Sequence, residues 1–333
     1  MGVTAETVPV APRRLDVRRL ARRHSWTIGV YLLFAAVFLY WHAISPAWSD
    51  FDWQSLVITA LPLMFAAMAQ AVVVISGGID LSVGSLMSVI NVLSAKYMVD
   101  MGFGKASLLA LGLIVAGALA GTLTGSLIVA TRVPDIVVTL AMLFFYGGLA
   151  LQILEIPGGG APDRFLMLGQ GTTASVWLPT GLLVVVSALV CMWLPIRWRR
   201  PGLALYAVGS NRSSAYLSGI NVPLTRVGAY ALGGAFAALG GLALTATSGN
   251  GSPLAGGAYT LNSVAAIVLG GVSLLGGVGG LIGPLAAALI VTLVPTILTL
   301  KGIDPNYGQV IQGTLVIVVV MIGGLTLRLR RRA

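Results

Sequence analysis

Apolar runs of membrane-crossing length alternate with short polar breaks along most of this chain, and the run lengths point to helices rather than strands. A helix rising 1.5 Å per residue needs about twenty residues to cross some 30 Å of hydrocarbon. The first such run is Trp26–Ile44. Further spans are predicted at 55–76, 82–99, 106–130, 134–154 and 178–196, and then, after a basic central segment, at 224–247, 262–275, 279–300 and 308–327. The pattern thus predicts an all-α, polytopic membrane protein with about ten transmembrane helices.

One stretch interrupts this pattern in a telling way. Residues 72–88 read V-V-V-I-S-G-G-I-D-L-S-V-G-S-L-M-S. Gly77 and Gly78 release the backbone from helical geometry, and Asp80 follows at once. Because a lone carboxylate and irregular backbone survive among apolar helices only inside protein or beside water, the break is expected within the bundle, next to a path or a moving joint. A weak internal repeat supports this. Residues 77–84 align without gaps to 270–277, and each follows an apolar stretch. Paired broken helices of this kind mark the pathway in many transporters.

Charge then fixes the expected topology. Only 9% of the 333 residues are charged, against about 25% in soluble domains, and the mean hydropathy is +0.95. The net charge of +10 falls into clusters that flank spans. Arg13, Arg14, Arg18, Arg19, Arg22 and Arg23 precede the first run; Arg197, Arg199, Arg200, Arg212 and Arg226 occupy the central segment; Arg328, Arg330, Arg331 and Arg332 end the chain. With ten spans these groups and Arg132 all face the cytoplasm, leaving Lys96, Lys105, Arg164 and Lys301 outside. Both termini are therefore expected in the cytoplasm, as basic tails at 1–25 and 328–333 around a permease domain at 26–327. The charge is a topology signal facing the lipid bilayer, and no nucleic-acid partner is expected. The single cysteine, Cys191, and the separated His24 and His42 offer no disulfide and no metal site.

The glycine-rich runs lack the Gly-Lys-Ser/Thr ending of a phosphate loop, so no nucleotide-hydrolysing site is expected in this chain. Gly117, Gly121 and Gly125 recur every fourth residue and suit close helix packing. The central segment 197–223 is the largest inner polar region. Within it Ser210 or Asn211 is suited to cap a short helix that Gly219 stops, with Asn221 and Pro223 opening the next. Tyr216 and Leu217 on such a helix would form a docking knob.

Three separated stretches, 76–85, 217–222 and 265–274, resemble the permease subunits of ribose-type ABC importers. The resemblance implies a BtuC-like type II ABC importer arrangement in a bacterial inner membrane. It further implies pairing with a second permease copy, delivery of sugar by a periplasmic binding protein, and a cytoplasmic ATPase gripping Gly209, Asn211, Tyr216, Leu217 and Gly219. ATP is then used by that partner, and this chain binds no cofactor.

For the substrate pathway the candidates are Asp80, Ser82, Gln70, Ser88, Asn91, Asn262 and Gln312. Each amide or hydroxyl has a second use in joining helices, and Asp80 a second use as a cap on the following helix with Ser82 and Ser85. Arg132 and Asp135 are gate candidates between spans four and five, although Asp135 also suits a helix N-terminus. Two rivals remain. One is an ion-coupled transporter with Asp80 and Asp135 carrying protons; the other is an ABC permease for a branched-chain amino acid, a nucleoside or a furanose signal molecule.

Overall fold

The computed structural model describes residues 25–304 except 174, together with 306–308, 310, 311, 313, 314, 317 and 321. The basic tails, apart from Ser25, lie outside the described residues, as do Gln312 and most of the expected tenth span at 308–327.

The described chain is helical, with two isolated bridges, Gly158 to Gly251 and Thr172 to Pro179, and no strand. The helices are α1 (Ser25–Ile44), α2 (Asp50–Ile75), α3 (Val83–Met98), α4 (Phe103–Thr131), α5 (Asp135–Ile153) and α6 (Asp163–Gln170). Then α7 (Thr180–Ala188) passes through a π-helical turn (Leu189–Trp193) into α8 (Leu194–Arg197). They are followed by α9 (Arg200–Ser210), α10 (Arg212–Leu217), α11 (Val222–Ser248), α12 (Gly257–Leu269) and α13 (Ile282–Leu300).

Seven segments among the described residues are long and apolar enough to cross a membrane: α1, α2, α4, α5, the continuous α7–α8, α11 and α13. The expected count of ten is therefore not reached within them. Two of the expected spans are short helices. α3 has 16 residues, about 24 Å at the α-helical rise, and α12 has 13. The span expected at 262–275 is displaced: its helix begins at Gly257 and stops at Leu269, because Gly271 takes a left-handed φ of 85° that a helix cannot continue.

Burial ranks the helices. In α2, 89% of the most apolar window is buried, and in α11 72%, whereas α1, α4, α5 and α7–α8 are at 22% or less. The first two form the centre, and the others present apolar side chains outward, as expected where hydrocarbon is the neighbour. α2 starts in a capping box in which the Ser49 amide donates to Asp52 Oδ2 at 2.7 Å. α4 lies against α11 along the expected glycine face: a Cβ on Gly121 would stand 2.0 Å from the Tyr230 carbonyl oxygen, and one on Gly117 would stand 2.6 Å from that of Gly234.

Contacts between helix ends show which of them share an end of the bundle. Trp26, opening α1, donates through Nε1 to the Leu269 carbonyl at the end of α12, and Lys301, ending α13, lies over the Tyr40 ring near the far end of α1. Arg132, Arg212 and Arg226 line one cavity, which brings the end of α4 and the α10–α11 turn to the same end of the bundle.

Candidate functional site

The expected repeat appears as a shared helix ending. At the end of α2 the Gly78 amide donates to Val73 O and the Gly77 amide to Val74 O, with φ of 79° at Gly77. At the end of α12 the Val272 amide donates to Ile267 O and the Gly271 amide to Val268 O, with φ of 85° at Gly271. Both are the left-handed helix stop that glycine favours. The left-handed glycines match Gly77 with Gly271, so the sequence alignment, which set Gly77 against Gly270, is off by one residue. Identity of flanking glycines cannot distinguish neighbouring positions; conformation can.

The two breaks touch each other and the central segment. The Gly277 amide donates to Ile75 O at 2.9 Å, joining the second break to the end of α2. Gly209, near the end of α9, fits between them: a Cβ there would lie 1.9 Å from Ile75 O and 2.6 Å from Gly277 N. A Cβ on Gly276 would meet Gly209 O at 2.7 Å and Gly77 Cα at 2.9 Å. Three backbones thus meet where only glycine leaves room.

Side chains clasp this junction. Arg212, at the start of α10, donates through Nη2 to Gly77 O at 2.8 Å. Tyr206 on α9 donates to Gly279 O at 2.9 Å and accepts from Arg197, whose guanidinium lies over its ring. Burial raises the Tyr206 phenol pKa, with Arg197 opposing, so it stays a donor at neutral pH. Two residues after the break, Tyr230 of α11 sets its hydroxyl 3.2 Å from Ile79 O and 3.0 Å from Asp135 Oδ2. Asp135 Oδ1 in turn accepts from Arg226 Nη2 at 2.5 Å, with both side chains largely buried. A Cβ on Gly78 would press on the Tyr230 hydroxyl at 2.8 Å, so this network also depends on a missing side chain. The gate candidate Asp135 is therefore paired, and its partner is Arg226, 91 residues away, instead of the nearby Arg132.

The pathway candidates separate into engaged and unengaged groups. Asp80 is buried, and its Oδ1 accepts from the Ser82 amide at 2.8 Å and the Ser82 hydroxyl at 2.6 Å, the geometry of a turn leading into α3. Ser85 donates to Ser82 O. Asn91 donates to Thr245 Oγ1 and Asn250 O and accepts from the Ser252 amide, while Ser88 accepts from the Gly256 amide. These two residues knit α3 to α11 and to the start of α12. In contrast, both amide atoms of Gln70 are buried without a partner, and half-buried Asn262 makes no side-chain hydrogen bond among the described residues. Gln312 lies outside them.

In the central segment the expected punctuation holds. Asn211 Oδ1 accepts from the Ser214 amide at 2.9 Å, Gly219 takes φ of 80°, and Asn221 Oδ1 caps α11 through the Leu224 amide. Tyr216 and Leu217 are 71% and 84% exposed, beside an open depression that Arg212, Ser213 and Val222 also line. The sequence reading missed α9, and with it the placement of Gly209 on the breaks. It counted Arg226 only as one of the central basic cluster, without its pairing to Asp135, and missed Tyr230. The only signal for those two was a cation and a phenol in the first turns of an otherwise apolar helix.

Comparison with known proteins places these features in context. Residues 54–320 match the family model described as branched-chain amino acid transport system / permease component. A fructose import permease protein of Rhizobium meliloti is 34% identical over 263 residues, covering 76% of this chain and 72% of the relative. A ribose import permease protein of Bacillus subtilis is 34% identical over 259 residues, covering 77% and 79%. An autoinducer 2 import system permease protein of Photorhabdus temperata is 28% identical over 318 residues, covering 91% and 92%. No solved structure matches.

Proposed function

This chain belongs to the permease-component family of branched-chain amino acid transport systems, and from that premise we propose that it is the membrane subunit of an ATP-driven ABC importer for a monosaccharide. Its relatives' names specify fructose and ribose, which favours a small sugar over an amino acid. In this reading two copies pair in the inner membrane, both termini of each lie in the cytoplasm, and a periplasmic binding protein delivers the sugar. A cytoplasmic ATPase holds α10 by Tyr216 and Leu217 and hydrolyses ATP, for which this chain has no site of its own.

The observation that carries the reading is the seating of Gly209 on both helix breaks. A push on α10 is transmitted through the Arg212 bond to Gly77 and through Gly209 to Ile75 and Gly277, so both halves of the bundle receive it at once. A two-state element biased from a distant site is the physical requirement for coupling. Gln70 and Asn262, whose amides are unengaged, are the best-placed of the pathway candidates to meet sugar hydroxyls in another state; Asp80, Ser82, Ser88 and Asn91 hold the framework.

Proteoliposomes carrying the permease, its ATPase and its binding protein test this. Tyr216→Ala with Leu217→Ala should abolish sugar uptake while leaving the permease folded. Uptake that persists without any ATPase subunit would instead support the ion-coupled alternative. A furanose signal molecule is the second cargo reading, favoured by the autoinducer 2 relative that spans 91% of the chain. Competition between ribose and that signal for uptake separates the two.

A further inference from the structure

Beside the clasp, the end of α4, the start of α5 and the α10–α11 turn enclose a cavity of about 340 Å³. Arg132, Arg212 and Arg226 line it, opposed among the described residues by one carboxylate, that of Asp135. That carboxylate does not exhaust the positive charge. It bonds Nη2 of Arg226, while Nε of the same guanidinium is buried with no partner among the described residues. Arg132 ends α4 at φ of 57°, a conformation uncommon for a residue with a Cβ, and its exposed guanidinium has no hydrogen bond or ion pair among the described residues.

Val133 lines the cavity as well, and the chemistry changes along the two helices that frame it. Leu127 of α4 and Ile136 and Val137 of α5, exposed and close in sequence to the lining residues Ile128 and Asp135, belong to helices whose apolar faces point outward. A ligand that satisfies both parts carries an anionic head with hydrocarbon attached. We propose that this cavity binds the phosphate headgroup of an anionic phospholipid, with its acyl chains against Leu127, Ile136 and Val137. Guanidinium groups pair with phosphate through short charge-assisted hydrogen bonds, and basic pockets between membrane helices suit such heads. An acidic loop of a soluble protein would match the charge but would leave the outward apolar faces of α4 and α5 uncovered. The bound phosphate would sit against the guanidinium that holds Asp135, and hence beside the network on Ile79.

Full-length permease extracted from vesicles of equal phosphatidylglycerol and phosphatidylcholine, and examined by native mass spectrometry, is expected to retain phosphatidylglycerol preferentially. Arg132→Gln should lower that preference about fivefold, the worth of one basic group facing an anionic headgroup. Arg132→Lys should keep most of it. Arg199→Gln, outside the cavity lining, should leave it unchanged. Equal retention of the two lipids by the wild type overturns the proposal, as does an equal loss in Arg199→Gln or binding of inorganic phosphate without any lipid preference. Loss of ATPase-subunit binding in Arg132→Gln with lipid preference intact would assign the cavity to a protein partner and equally overturn it.

Discussion

The guanidinium of Arg212 reaches the carbonyl oxygen of Gly77 at 2.8 Å across 135 residues of sequence. This bond ties the first residue of α10 to the left-handed glycine that ends α2. Arg212→Ala should leave the Asn211 cap of α10 intact and loosen its hold on the break. The expected result is sugar uptake reduced by an order of magnitude with ATP hydrolysis by the partner retained, as measured in proteoliposomes. Equal loss of both would place Arg212 in subunit docking instead.

Gly209→Ala sets a methyl group against Ile75 O and Gly277 N in a region made of backbone. Overpacking of this kind costs about 1–3 kcal/mol. A lowered thermal unfolding midpoint of the purified permease is expected, with uptake lost. Gly219→Ala, where a Cβ meets nothing within 4 Å but φ is 80°, should cost less. A larger loss at Gly219 would contradict the close-packed junction.

Removing one member of the Asp135–Arg226 pair strands the other in a largely buried position. Asp135→Asn and Arg226→Gln are each expected to destabilise by about 2–4 kcal/mol, at the lower edge of fully buried pairs because both side chains keep some exposure. Arg226→Gln combined with Asp135→Asn should cost less than the two single losses added. Additive losses in denaturant titrations would show that the two groups do not interact.

Gln70 is buried, and neither amide atom is bonded among the described residues. Gln70→Leu keeps the volume and removes an unsatisfied polar group, so thermal stability should rise by about 1 kcal/mol or more. On the proposed pathway role of the amide, uptake should fall. Unchanged uptake would assign Gln70 no transport role.

The hydrophobic pattern by itself determined that this chain is a bundle of membrane-crossing helices, because backbone that meets hydrocarbon has to satisfy its own hydrogen bonds, and apolar run length records where it does so. Local punctuation was equally legible: the stop at Gly77, the Asn211 cap and the Gly219 turn each depend on one residue's own conformational preference. The resemblance of 76–85, 217–222 and 265–274 to sugar permeases likewise rested on contiguous residues. Tertiary structure alone decided where those pieces meet. The pairing of Asp135 with Arg226 rather than Arg132, the setting of Gly77 against Gly271, and the place of Gly209 between Ile75 and Gly277 all join residues far apart in the chain. A glycine's sequence neighbours state that it can turn or pack closely; which backbone it admits depends on how the helices cross.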